Sequence, residues 1–425
     1  MASIVTSKFR IHNAQQFVEA FSETSNTVMY LFVGKNTAFA DDNSPPTPVN
    51  STANIEFTPW RDMYGAKRIQ SSDVSHAIPR YNWTSGTVYV AYDDQSTSLL
   101  TDTFYVMTED YNVYKCLFNN ASTASTTKPT GTSTSVFTTA DGYVWKYMYT
   151  VTTANALKFL TTDYIPVQTL TSDDGSTQYA VQTAAVDGSI RIIKVTSGGS
   201  GYATAPAVTI TGDGTGATAN STIVANVVTA ITVTNAGTGY TRATVSFASG
   251  AATATAIISP KGGHGADAIE ELGGKYVILN TRLEGNESNT ISTANEFRQV
   301  GLVRDPYLFG TTTRATGSSY RQTYRYTLSG ITGTFTRDET VTSGSNTASV
   351  VEFTTPYIYV TKPINFGFAN AATITGGTSG ATATISAIST PSLEAYSGDL
   401  IYVENRVPIS RATDQIEDVK LIIQF

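Results

Sequence analysis

The chain has a single cysteine, Cys116, among its 425 residues. No disulfide can form within it, and a cysteine-built zinc site, which needs several ligands at set spacings, is excluded. Burial alone must hold the fold, as expected of a protein folded in a reducing cytoplasm. Charge is also scarce: Asp, Glu, Lys and Arg make up 14% of the residues, against about 25% in an ordinary globular domain. The formal net charge is −7 and the pI about 5.1, so a basic footprint for nucleic acid is not expected. The only histidines, His12, His76 and His264, lie far apart and in no metal-binding spacing. A histidine metal site or a serine triad therefore has little support, and Gly-x-Ser-x-Gly does not occur. No run of about 18 apolar residues exists, so no membrane span is expected. The opening Met1–Lys8 lacks the apolar stretch of a secretory leader.

Apolar residues make up 40% of the chain and aromatics 11%, enough for real cores. Thr, Ser, Asn and Gly stand where charges are missing. Thr, Val and Tyr favour strands, while Glu and Lys are depleted there. At about 150 residues per domain, the length implies several domains. The expectation is a mainly β, multidomain protein.

Residues 3–9 read as a short strand. Asn13 to Gln16 has the form of a capping box, and Ala14, Phe17, Val18 and Phe21 make one helical face. Thr27–Val33 is a continuous apolar run, read as a buried strand. Residues 40–54 read as an exposed loop and Thr58-Pro59 as the start of a short helix. Strands are expected over 87–92, 103–107, 111–118 and 142–151, with a Ser/Thr/Gly/Pro loop at 119–135. Further on, 266–272 reads as a helix, 276–283 as a strand, and 399–404 and 419–425 as closing strands.

The clearest organisation is a repeat. Ile193-Lys-Val-Thr-Ser-Gly-Gly-Ser-Gly-Tyr202 returns 38 residues later as Ile231-Thr-Val-Thr-Asn-Ala-Gly-Thr-Gly-Tyr240. Two more strand-like segments follow each copy. One such unit is too small to bury a core, so the two copies are expected to pack on each other with a quasi-twofold relation. Gly201 and Gly239 should have positive φ, or otherwise occupy backbone space closed to larger residues. A looser repeat links 333–350 to 367–383.

Candidate chemistry is thin. Gly212-Asp-Gly-Thr-Gly216 has a phosphate-loop flavour, but a strand pattern follows where a helix N-terminus is required, so it reads as a hairpin turn. Lys261-Gly-Gly-His264-Gly reads as a flexible joint between domains, with an anion cradle as the alternative. The pairs Asp41-Asp42, Asp93-Asp94 and Asp173-Asp174 read as solvated turn residues; calcium ligands are the alternative, without EF-hand spacing. Glu270-Glu271 read as a polar helix face, with a glycosidase pair, which needs a specific separation in space, as the alternative. No catalytic residue, cofactor site or metal site is assigned, and the chain is expected not to be an enzyme.

Ile4-Val-Thr-Ser-Lys-Phe-Arg10, Ala77-Ile-Pro-Arg-Tyr-Asn-Trp83, Val113-Tyr-Lys-Cys-Leu117, Asp141-Gly-Tyr-Val-Trp-Lys-Tyr147, Ser397–Ile409 and Asp414-Gln-Ile-Glu417 stand in that order. Together they resemble a baseplate wedge subunit of contractile-tailed, T4-like phages, the gene product eight family. The resemblance is concentrated at 1–165 and 395–425. It implies a homodimeric strut of the virion tail, assembled in the host cytoplasm. The strut would link other wedge proteins and share in the baseplate rearrangement that triggers sheath contraction. A tail receptor- or carbohydrate-binding adhesin is the alternative, suited to the Gly/Thr/Tyr-rich repeats. Trp83, Trp145 and Tyr147 are large anchors, and Arg80, Arg406 and Asp414 are candidates for ion pairs beside them. Internal packing and subunit contact both remain open for all six. The expected domains are an α+β sandwich domain of 1–90 plus 395–425, a β domain at 91–187, the tandem repeat module at 188–260 and a second β domain at 261–394. The inserted modules are expected to be antiparallel sandwiches or barrels.

Overall fold

A computed structural model describes residues 3–23, 27–364 and 367–425; Met1 and Ala2, where the leader reading begins, lie outside them. The fold is multidomain and mainly β, with 43% strand and 11% helix in several antiparallel sheets and one closed six-stranded barrel. It divides into two compact units, one of Met1–Gln16, Ser75–Ile278 and Ile422–Phe425, the other of Phe17–Val74 and Leu279–Leu421. The segments expected at 91–187 and 188–260 both fall in the first unit, and residues 1–90 are shared between the two.

The first helix of the chain is Ser7–Glu19, where a strand was expected at 3–9. Thr6 decides this: its Oγ1 accepts the Phe9 N–H at 3.3 Å, an N-cap earlier than the one read at Asn13. Ile11 and Ala14 are the residues the helix buries. In the first unit the central sheet orders Tyr105–Met107, Asn112–Asn119, Tyr143–Thr150 and Phe137–Thr138. Tyr143–Thr150 is buried on both faces, so aromatics crowd it without alternation. Residues 87–92 form no strand. Their bonds are spaced too widely for a ladder, with Val90 N–H donating to Thr103 O and Tyr92 N–H to Cys116 O. Two short helices that the sequence reading missed, Thr153–Phe159 and Thr177–Thr183, are capped by Thr152 and Ser176.

The repeat module lies in the same unit. Its first copy has strands Ile190–Ser197, Val208–Gly212 and Thr215–Val224; its second has Val227–Thr238, Ala243–Phe247 and Thr253–Ile258. Every strand pairs with the other copy: first with third, second with second, third with first. This is a quasi-twofold arrangement, and its core repeats as well, with Ile190 and Val228 both buried. Gly201 and Gly239 have φ +80° and +75°. The turn at Gly212–Gly216 is not a hairpin, because the strands it joins lie in different sheets. Asp213 there holds the opposite loop, accepting from Thr241 N and Arg242 N at 2.9 and 3.1 Å. Those bonds, with one from the Thr241 hydroxyl as the largest cause, keep its carboxyl well below the usual range.

The second unit contains a five-stranded sheet in the order Ser319–Arg321, Met63–Arg68, Met29–Gly34, Phe297–Arg304 and Asp399–Ile409. Met29–Gly34 is buried at every position, as the apolar run at 27–33 implied. The helix that follows it in the chain runs Thr52–Asp62, beginning within the expected loop and placing Pro59 inside rather than at its start. In the last turn a proline forfeits a single helix bond, which the tertiary packing of buried Trp60 offsets. The barrel spans 324–389 and contains the looser repeat. Thr342 and Thr375, which correspond 33 residues apart, are register partners of each other. The copies therefore meet about a local twofold axis, and the corresponding Val341 and Ile374 are fully buried.

Candidate interface and site residues

Trp145 and Tyr147 face the core of the first unit, each at most 1% exposed. They pack with Tyr89, Tyr114, Cys116 and Tyr143, and Tyr143 stacks on Trp145 at 5.5 Å. These two anchors are internal packing. Trp83 is half-buried against the same cluster and its Nε1 donates to Ser125 Oγ at 3.1 Å. Arg80 donates to Asn82 Oδ1 at 2.9 Å and Thr161 O at 2.7 Å, so it ties a loop rather than pairing with an acid.

In the second unit, Arg406 pairs with Glu404 at 2.6 Å and donates to Lys420 O at 3.0 Å. Asp414 is exposed in a turn, with no ion pair among the described residues. Asp42 of the first acidic pair holds the buried Arg298 guanidinium at 2.9 Å. Asp94 accepts from Ile258 N at 3.1 Å, and Asp173 and Asp174 cap their own turn. Each of these pairs thus has a structural use for at least one carboxylate. Among the described residues no group of three or more His, Cys, Asp or Glu could hold a metal ion. None of their helices is long and apolar enough to cross a membrane.

A polar node that sequence reasoning missed lies inside the first unit. Lys115 Nζ donates to Glu271 Oε2 at 2.8 Å and lies 3.1 Å from His264 Nδ1, with Tyr92 beneath it at 4.0 Å from the ring centroid. The Lys115 side chain is fully buried and that of Glu271 is 2% exposed. Glu271 Oε1 accepts from Gly265 N at 2.7 Å, so both carboxylate oxygens are engaged. The Gly-rich segment at 261–265 is therefore a packed corner, not a flexible joint, and Glu271 is not on a polar face.

Burial is the main reason that His264 titrates well below an ordinary histidine, with Lys115, Lys146 and Arg191 adding to it. A neutral His264 can accept from Lys115. Burial also pushes the Lys115 ammonium down, against the pull of Glu271. The neighbouring Lys146 is pushed down to about 8 by burial. Beside His264 a depression lined by Thr134, Lys146, Ser189 and Arg191 has a volume of about 20 Å³. That is room for one water, too small for a phosphate-sized anion. The node is a structural clasp between a strand, a glycine corner and the helix Ala268–Leu272.

Apolar side chains remain on two outer elements. Ile4, Val5 and Phe9 of the N-terminal segment are 85%, 57% and 55% exposed. Asp399–Ile409 is the outer strand of its sheet, and Ile401 and Val407 on it are 40% and 51% exposed. No family model matches the chain, and no curated protein matches it.

Proposed function

We propose that this chain is a non-catalytic structural subunit of the baseplate wedge of a contractile-tailed bacteriophage. It acts as a homodimeric strut in the virion tail, links other wedge proteins and takes part in the baseplate rearrangement on infection. Supporting this are the six ordered motifs that resemble the gene product eight family, and a low-charge, Tyr-rich composition whose surface costs little to desolvate in a permanent contact.

One structural observation carries it furthest. The longest of those motifs, Ser397–Ile409, forms an outer strand with exposed Ile401 and Val407. An outer strand offers unpaired backbone groups, and exposed apolar side chains beside them mark an interaction surface. A twofold pair uses the same patch on both chains, and an obligate one buries more than about 2,000 Å². Light scattering on the purified chain is expected to give twice its 45.3 kDa mass, falling to the monomer when Ile401→Asp and Val407→Asp are combined. A monomeric wild type contradicts the strut, and a trimer favours the adhesin.

A further inference from the structure

We propose that a cleft on the second unit, floored by Tyr396 and Phe309 and rimmed by Glu394, Tyr324 and Lys362, binds a single neutral pyranose ring. The cleft has a volume of about 200 Å³. Drug-sized ligands are enclosed by pockets of about 300 Å³ or more, so this one suits one six-membered ring rather than an oligosaccharide chain.

The first observation is the backbone of Tyr396. Its φ is +67°, a left-handed conformation in a bulky L residue. Tyr396 is third in the turn Glu394-Ala395-Tyr396-Ser397, closed by Ser397 N–H and Oγ donating to Glu394 O at 3.3 and 2.6 Å. Positive φ at that position favours glycine or asparagine, and a tyrosine there is strained. Strain of this kind persists where a side chain is needed in one place.

The second observation is how the ring is held. It meets Phe57 edge-to-face at 5.0 Å, and the Lys362 ammonium lies over one face, 5.3 Å from the ring centroid. Even so it is 44% exposed, and Phe309 is 36% exposed. The ring is fixed yet open, which is the form of a stacking platform. Its electron-rich face attracts the C–H face of a sugar.

The third is the polar rim. Glu394 Oε2 accepts from Gly310 N at 2.8 Å, which orients the carboxylate, and its other oxygen has no hydrogen bond among the described residues. Burial, with Glu394 and Tyr396 nearby, raises the Tyr324 hydroxyl, so it stays protonated and can donate. Gln322 takes no part in binding, because both ends of its amide are engaged by the Leu393 backbone. A sugar's hydroxyls both donate and accept, matching a carboxylate beside an ammonium and a phenol. Glu394 and Lys362 together leave the rim without net charge, so a charged sugar gains no net attraction there, and a purely apolar ligand leaves the carboxylate desolvated.

This goes beyond the wedge reading and holds whether or not the chain dimerises. The test is saturation-transfer NMR on the full chain with methyl glycosides of glucose, galactose, mannose and N-acetylglucosamine, and with glucuronic acid as the charged comparison. At least one neutral glycoside is expected to bind and glucuronic acid not to. Tyr396→Gly is expected to weaken binding about tenfold without lowering the melting temperature, since it relieves the left-handed strain. Tyr396→Asn, which also tolerates that backbone, is the second variant should the glycine loosen the turn. Glu394→Gln is expected to weaken binding several-fold. No transfer from any neutral glycoside, or binding unchanged in these variants, overturns the proposal.

Discussion

Tyr202 and Tyr240 occupy matching places in the two repeat copies, and each hydroxyl accepts a backbone N–H from the copy that is not its own. Tyr202 takes that of Ala252 at 2.8 Å and Tyr240 that of Ala217 at 3.3 Å. Both rings are 4% exposed. The exchange locks the copies together at both ends of the module, so neither copy completes its fold alone.

Removing one hydroxyl leaves a half-buried N–H without its partner. Tyr202→Phe should therefore cost about 1–3 kcal/mol, and more than Tyr240→Phe, whose bond is longer. Two glycines separate conformation from space. Gly201 has open space around its missing side chain, whereas a Cβ on Gly250 meets the Tyr202 ring at 2.4 Å. Gly201→Ala should cost about 1 kcal/mol for its backbone alone. Gly250→Ala should cost clearly more. Hydrogen exchange of the amides in Thr253–Ile258 measures both.

The buried Lys115–Glu271 pair should be costly to break and cheap to replace. Lys115→Met or Glu271→Gln alone should lose about 3–5 kcal/mol, because each leaves a buried partner uncompensated. The double substitution should lose less than the sum of the two. Hydrogen exchange of Asn112–Asn119 reports on the unit concerned; equal and additive losses would argue against the clasp.

The same node sets a pH dependence. His264 titrates below the ordinary 6.5 when folded, chiefly through burial, and His76, facing Gly274 O at 3.3 Å, shifts the same way for the same reason. Below pH 6.5 the unfolded chain takes up these protons and the folded chain does not. Stability is then present above that pH and falls as pH drops through it, by at most about 1.4 kcal/mol per pH unit for each histidine. Protection in Asn112–Asn119 should decline between about pH 7 and 5.5, and His264→Gln should flatten the decline. A wild-type profile flat across that window contradicts it.

Both repeats were legible because equivalent positions carry equivalent burial, as Val341 and Ile374 do. Strand partners were not. Glycine turns reverse the chain locally, but which strand pairs with which is decided by shared burial, and here strands chose the other copy. The N-terminal helix was hidden by the β-branched Ile4-Val5-Thr6, whose threonine is in fact its cap. The clasp had no spacing to betray it, since Lys115 lies 149 residues from His264 and 156 from Glu271. Its one trace was a rare histidine set among glycines ahead of two glutamates. Trp145 and Tyr147 were visible as anchors, but sequence alone does not separate a core aromatic from an interfacial one. The strain at Tyr396 has no sequence signature, because only φ reveals it.

Electron microscopy of particles produced with this chain deleted tests the strut most directly. The expected result is the loss of assembled contractile tails, restored when wild-type chain is supplied and not when Ile401→Asp and Val407→Asp are combined. Tails that assemble with normal baseplates in its absence would contradict the account.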